Sequence, residues 1–184
     1  NAIDYAAENK QRGRRSLVNL SGVSNANFAI DKAAEEVVKA GIPFIGAAGN
    51  DADNACNRRS PPRARGVIAV GATKNPGDVL ADFSNWGYLG ECVDLYLPGY
   101  VTVFDVNSGK KIISSGSSYS APIATIMCAI RMYFNRAATP VQLQQWLVSK
   151  TITVTPPADA AFTSPIPVML ANNACPNLQL INDF

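Results

Sequence analysis

Apolar positions change their spacing along this chain. Short continuous apolar runs occur at Ser16-Leu17-Val18-Asn19-Leu20, Pro43-Phe44-Ile45-Gly46-Ala47, Val67-Ile68-Ala69-Val70-Gly71 and Val93-Asp94-Leu95-Tyr96-Leu97. Runs this short, bounded by turn residues, read as buried strands. Between the first two, Phe28, Ile30, Ala33, Ala34, Val37 and Val38 recur at helical spacing. They predict a helix over 28–40, with Asn27 as N-cap and Gly41 just past its end. Residues 2–9 read as the end of another helix, through Ile3, Ala6 and Ala7, followed by a basic loop from Lys10 to Arg15. Val101 to Val106 and Lys110 to Ser114 flank Asn107-Ser108-Gly109, a hairpin signal. A helix is predicted from about Tyr119 to Asn135, with Pro122 in its first turn. Thr139-Pro140 opens a further helix through Gln144 and Leu147. The proline-rich tail after Lys150 is expected to run extended over the surface. Strand, helix and strand without hairpins in the first half imply crossovers and a parallel sheet with helices on its faces. No repeat or linker interrupts this single α/β unit, whole or partial.

Composition narrows the function classes. The chain has 184 residues, 47% apolar and 16% charged, enough to bury a sizeable core. Sixteen Lys plus Arg against fourteen Asp plus Glu leave a net charge of +2, which gives no electrostatic case for nucleic acid or an anionic membrane. The uncharged stretches 112–130 and 160–182 are broken by serines or prolines, so neither reads as a membrane span. Residue 1 is Asn, without an initiator Met or signal peptide, and the chain reads as cut from something longer. The four cysteines are Cys56, Cys92, Cys128 and Cys175. No CxxC spacing and no histidine ligand is present, which disfavours zinc. An even count suits disulfides in a secreted protein, and buried reduced cysteines remain the alternative. The chain contains no histidine at all, so a mechanism that needs an imidazole base cannot be completed by these residues alone.

Two segments carry candidate chemistry. Ala47-Ala48-Gly49-Asn50 ends a predicted strand, where ligand chemistry collects in open parallel sheets. An amide there, after a glycine that admits close backbone approach, can donate to a reacting oxygen; an ordinary Gly-Asn turn is the plainer reading. Ser115-Gly116-Ser117-Ser118-Tyr119-Ser120-Ala121-Pro122 leads an extended segment into a helix. A serine at a helix N-terminus has backbone N–H groups beside it that stabilise an oxyanion, although a Ser-rich cap would look the same.

In combination and in this order, these segments resemble the subtilisin-like serine proteases, in particular the secreted proteinase K-like branch. The resemblance covers residues 1 to about 135 and rests on six blocks. They are Ile45-Gly46-Ala47-Ala48-Gly49-Asn50, Val67-Ile68-Ala69-Val70-Gly71-Ala72, Phe83-Ser84-Asn85-Trp86-Gly87, Cys92-Val93-Asp94-Leu95, Leu97-Pro98-Gly99 and Gly116-Ser117-Ser118-Tyr119-Ser120-Ala121-Pro122. It implies the C-terminal portion of a subtilisin-like α/β domain with its N-terminal strands missing. It implies Ser118 as nucleophile and Asn50 as side-chain oxyanion donor, helped by the Ser118 backbone N–H. Losing such a donor costs on the order of 100–1000-fold in turnover, and subtilisin itself is the measured case. Substrate would lie along Leu20-Ser21-Gly22 as an added strand, with Ala47-Ala48-Gly49 as a wall of the primary specificity pocket. The resemblance also implies a Cys56–Cys92 bridge, worth about 3–4 kcal/mol by loop entropy. It leaves the pairing of Cys128 with Cys175 open. It further implies a structural calcium ion held by Asp94 and the carbonyls of Arg65 and Val67, against an ordinary hydrogen-bonded aspartate.

The departures from the family pattern bear on activity. The family's triad runs Asp, His, Ser along the chain, and the segment bearing the first two is absent here. Ser117 replaces the usual Thr, Tyr119 the usual Met, and Ile123-Ala124-Thr125 stands where many members have His-Val-Ala. A serine without a base is a poor nucleophile at neutral pH. These residues therefore read as a serine endopeptidase half-domain, inert alone, whose Asp and His come from a separate N-terminal chain. A peptide-binding or decoy module with relic site residues is the alternative, and an autolysis product a third. The sequon Asn19-Leu20-Ser21 falls in a predicted buried strand, and Arg58, Arg59, Arg63 and Arg65 read as a solvated loop. Trp86 and Trp146 read as core or half-buried aromatics.

Overall fold

The computed structural model describes residues 2–10, 13–74, 79–87, 92–154 and 166–168. In chain order the elements are α1 (Ala2–Glu8), β1 (Val18–Leu20), β2 (Ser24–Asn25), α2 (Phe28–Lys39), β3 (Phe44–Ala47), α3 (Ala55–Arg58), β4 (Arg59–Ser60) and β5 (Ile68–Thr73). They continue with β6 (Leu95–Pro98), β7 (Tyr100–Phe104), β8 (Lys111–Ser115), α4 (Ser117–Phe134), α5 (Pro140–Ser149), β9 (Ile152–Val154) and β10 (Ile166–Val168). Six strands form the main sheet in the order β1-β3-β5-β6-β10-β9. Neighbours are parallel from β1 through β10, and β9 closes the far edge antiparallel.

Strand alternation explains the two layers. Ile45, Ala47, Ile68, Val70, Leu95 and Leu97 point to one face, where Ala121, Ala124 and Cys128 of α4 and Leu143 and Leu147 of α5 cover them. Phe44 points to the other face and meets Ala34 and Val37 of α2, with Ile3, Ala6 and Ala7 of α1 behind them. Tyr96 packs on that side with Val93, Ile166 and Val168. Each fully buried Phe, Ile or Leu contributes roughly 1.5–3 kcal/mol. The helices begin where their caps dictate. The Asn27 side chain accepts from the N–H groups of Ala29 and Ile30, and Thr139 and Gln142 form a reciprocal capping box. Gly41 follows α2 with φ +75°.

The structure corrects several expectations. The segment after Lys150 does not simply run over the surface, because Ile166–Val168 is a buried strand between β6 and β9. Burial of Ile166 and Val168 against Tyr96 outweighs the donor lost at Pro167. Helix α4 starts two residues earlier than predicted, at Ser117, so Pro122 falls in its second turn. Asn19 is exposed rather than buried, because β1 is an edge strand. The arginine run is partly ordered: Arg58, Arg59 and Arg63 pair with Asp53, Asp51 and Asp31. Both tryptophans are half-buried. Cys56 and Cys92 form a disulfide, the pairing the resemblance implied. Cys128 is a buried free thiol, and Cys175 lies outside the described residues.

Candidate active site

The carboxyl ends of β1 and β3 lie side by side, with Leu20 opposite Gly46 in the register. The chain therefore leaves the sheet at Ser21-Gly22 and at Ala48-Gly49-Asn50 on the same end. Helix α4 begins there too. Its first residues are anchored to the adjacent sheet segment, where Ser120 Oγ donates to the Leu97 carbonyl at 3.0 Å and the Gly116 N–H to the Gly99 carbonyl at 2.8 Å.

This convergence places Ser118 beside Ser21. The half-buried Ser118 hydroxyl donates to the Ser21 carbonyl oxygen at 3.0 Å. Asn50 is exposed, and its Oδ1 accepts from the Ser117 N–H and the Ser117 hydroxyl, each at 2.8 Å. With that oxygen committed, the amide nitrogen is the side chain's donor face. A Cβ built on Gly116 would lie 3.2 Å from Asn50 Nδ2 and 3.7 Å from the Ser118 backbone nitrogen. Both donors thus border one small space, kept open by a glycine whose φ of +156° also favours that residue. Beside the N-terminus of a long helix, such a space suits a negatively charged oxygen.

The other expected residues are placed less uniformly. Leu20 and Gly22 are half-buried and Ser21 exposed, along the edge of the sheet. Ala47 and Ala48 are buried on opposite faces, so their side chains pack in the core rather than line an open wall. Gly49 is buried as well, and its N–H donates to Ser117 Oγ at 3.1 Å. In the sequence Ser117 is only a replacement near the nucleophile. In the structure it is fully buried and joins Gly49 to Asn50.

Asp94 is remote from this constellation in its bonding. Its Oδ2 accepts from the Ala69 N–H at 2.8 Å and its Oδ1 from Gln144 Nε2 at 2.6 Å. Burial pushes its carboxyl up to about 6, against the opposing pull of those two bonds. A calcium ion takes six to eight oxygen ligands. Here a single carboxylate, with both oxygens already engaged by N–H donors, faces the sheet and α5. The donor set of Asp94, Arg65 and Val67 does not fit the ion as it stands, and no step is derived through a metal.

A family model described as the subtilase family matches residues 2–175. The chain belongs to the subtilase family. Among curated relatives, this subtilase chain is 33% identical to alkaline serine exoprotease A of Vibrio alginolyticus over 152 residues, which is 82% of the chain and 27% of that protein. It is 30% identical to an extracellular serine proteinase of Thermus sp. (strain Rt41A) over 184 residues, 99% of the chain and 40% of that protein. Among solved structures it matches a cold adapted subtilisin-like serine proteinase with a TM-score of 0.75 and 31% identity. That match covers 89% of this chain and 57% of the other. The chain therefore spans well under half the length of these curated relatives. The fold is subtilisin-like, a mainly parallel sheet with helices on both faces. Among the described residues no helix is long and apolar enough to cross a membrane.

Proposed function

We propose that this subtilase chain supplies the nucleophile and the oxyanion hole of a secreted serine endopeptidase. Its Asp and His come from a separate N-terminal chain of the same protease. In this reading Ser118 attacks the scissile carbonyl of a peptide or protein substrate. The Asn50 amide and the Ser118 backbone N–H hold the oxygen of the tetrahedral intermediate. The observation that carries it is the convergence of Asn50 Nδ2 and the Ser118 N–H on the space beside Gly116. Substrate backbone adds along Leu20-Ser21-Gly22, and Ala47-Ala48-Gly49 bounds the primary pocket through main chain.

The Ser118 proton rests on the Ser21 carbonyl, which is too weak a base to remove it. An imidazole must come from outside these residues, since they contain no histidine. The surface around the site supports such a partner. Strand β1 is the sheet's open edge, and Ile126 and Tyr133 of α4 are exposed apolar groups. A pocket of about 380 Å³ between Leu17 and Ala129 continues the same surface. An added parallel strand and a packed helix would cover all three. The Cys56–Cys92 bridge and the extracellular relative agree with a secreted setting.

The test is labelling of native material with a fluorophosphonate probe, followed by mapping of the modified residue and intact mass. The expected result is modification at Ser118 together with a companion polypeptide that carries histidine. Absence of both overturns the reading and leaves a peptide-binding or decoy module.

A further inference from the structure

The turn that carries Asn50 makes little secondary structure of its own. From Ala48 to Asp53 the backbone takes positive φ at Gly49 (+107°) and at Ala52 (+50°), and its peptide groups need partners from elsewhere. One residue supplies more of them than any other. Asn85 is fully buried, and its Oδ1 accepts from the N–H of Asp51 at 2.8 Å and of Asp53 at 3.1 Å. Its Nδ2 donates to the Ala48 carbonyl at 3.0 Å and to Asp51 Oδ2 at 3.3 Å. Its backbone N–H donates to the Gly49 carbonyl at 3.0 Å. The two acceptor sites and two N–H donors of this amide are therefore all used, on both sides of Asn50 in the chain.

We infer that Asn85 is a positioning residue for the oxyanion hole: it holds the backbone on either side of Asn50, while Ser117 sets the orientation of the Asn50 amide. The division follows from the bonds. None of the Asn85 contacts touches the Asn50 side chain, and the Ser117 bonds to Asn50 reach only its Oδ1. Orientation by Ser117 is useful only when the Asn50 Cα is already in place, and Asn85 fixes that place from behind. A side chain other than Asn fits the role poorly. Asp keeps the two acceptors, loses the donor to Ala48 and adds a second carboxylate beside Asp51. Ala leaves the buried Ala48 carbonyl and the part-buried Asp51 and Asp53 N–H groups without these partners, which is costly.

The inference rests on the proposed function, and the experiment separates the two. In the Ser118-labelling assembly, Asn85→Ala is expected to lower kcat about 100-fold with KM changed less than twofold, and Asn85→Asp about tenfold. In an Asn50→Ala background both substitutions should cost less than threefold, because the donor they position is gone. An equal loss with and without Asn50 makes Asn85 merely structural and overturns the inference. If the unsubstituted assembly never labels, the proposed function fails instead. Amide hydrogen exchange then decides on the chain itself. Asn85→Ala, which removes the oxygen that accepts from both N–H groups, should speed exchange at Asp51 and Asp53 at least tenfold while the α2 amides stay protected. Unchanged exchange at those two amides overturns the inference without any activity measurement.

Discussion

The Ser117 hydroxyl and the Asn50 amide oxygen form a 2.8 Å hydrogen bond, seconded by the Ser117 N–H at the same distance. Two donors on one oxygen leave the amide a single orientation, with nitrogen toward Gly116 and Ser118. The hydroxyl oxygen also accepts from the Gly49 N–H at 3.1 Å, so one small side chain ties the turn to the helix start. Substitution Ser117→Ala removes the hydroxyl but keeps the backbone donor. It should lower kcat about tenfold, a fraction of what losing the whole donor costs, with KM little changed. Ser117→Thr keeps the hydroxyl and should retain most activity. Steady-state kinetics on a peptide substrate with the complemented enzyme decide this. A Ser117→Ala enzyme with unaltered kcat would show that the backbone N–H alone suffices.

Gly49 and Asn85 are in close contact, which makes a second prediction about stability. A Cβ on Gly49 would fall 2.2 Å from Asn85 Nδ2, and φ there is +107°. The substitution Gly49→Ala combines backbone strain with displacement of a buried amide that makes four hydrogen bonds. It should cost about 3 kcal/mol or more. Gly22 is the control, since a Cβ there meets nothing within 4 Å, and Gly22→Ala should leave stability almost unchanged. Urea midpoints of the two variants provide the comparison, and similar midpoints would refute it.

The parts of this molecule legible in sequence are those governed by local periodicity and capping. Asn27, Thr139 and Gly41 mark helix ends by bonds to their own neighbours, so a local pattern suffices. Strands β3, β5 and β6 are continuous apolar runs because both of their faces are covered. The residues that were not legible depend on distant partners. Ile166-Pro167-Val168 is too short for a period and includes a proline, and only the slot between β6 and β9 makes it a strand. Exposure of Asn19 goes with the edge position of β1, which no pattern within β1 records. In the sequence Asn85 is one letter of a family block. Its bonds reach residues 32 to 37 positions earlier, a relationship visible only in three dimensions.

The cysteines should respond in opposite ways to chemistry. The Cys56–Cys92 bridge spans a sequence separation of 36, and its removal should cost about 4 kcal/mol by loop entropy. Cys128 is buried on the sheet-facing side of α4, and burial pushes its thiol up to about 12. At pH 8 almost no thiolate exists there, so iodoacetamide should leave Cys128 unmodified in the folded chain and modify it rapidly in urea. Mass spectrometry after brief alkylation reads both states. Prompt modification without denaturant would mean that α4 opens far more readily than its packing implies.

Asp94 should set an acid-favoured component of stability. Its carboxyl is raised from 3.8 to about 6, first by burial, with the bonds from Ala69 and Gln144 opposing. A group raised in the folded state binds its proton more tightly there than in the unfolded chain. Its contribution is fully present below the unfolded value near 3.8 and is lost as pH rises through about 6. A shift of this size is worth about 3 kcal/mol in full, of which roughly 2 kcal/mol separates pH 4 from pH 7, because the unfolded group is already partly ionised at pH 4. The substitution Asp94→Asn is nearly isosteric. Its carbonyl can accept from the Ala69 N–H, and its amide can donate to Gln144 once that side chain turns its oxygen inward. The variant should match the unsubstituted chain near pH 4 and exceed it progressively toward pH 7. Removing the Gln144 donor by Gln144→Leu should move the transition to higher pH, because one bond that favours the charged form is gone. Urea unfolding of the three chains from pH 4 to 7 isolates the effect as a difference, so other titrating groups cancel. A constant difference across that range would mean that Asp94 carries the same charge in the folded and unfolded states.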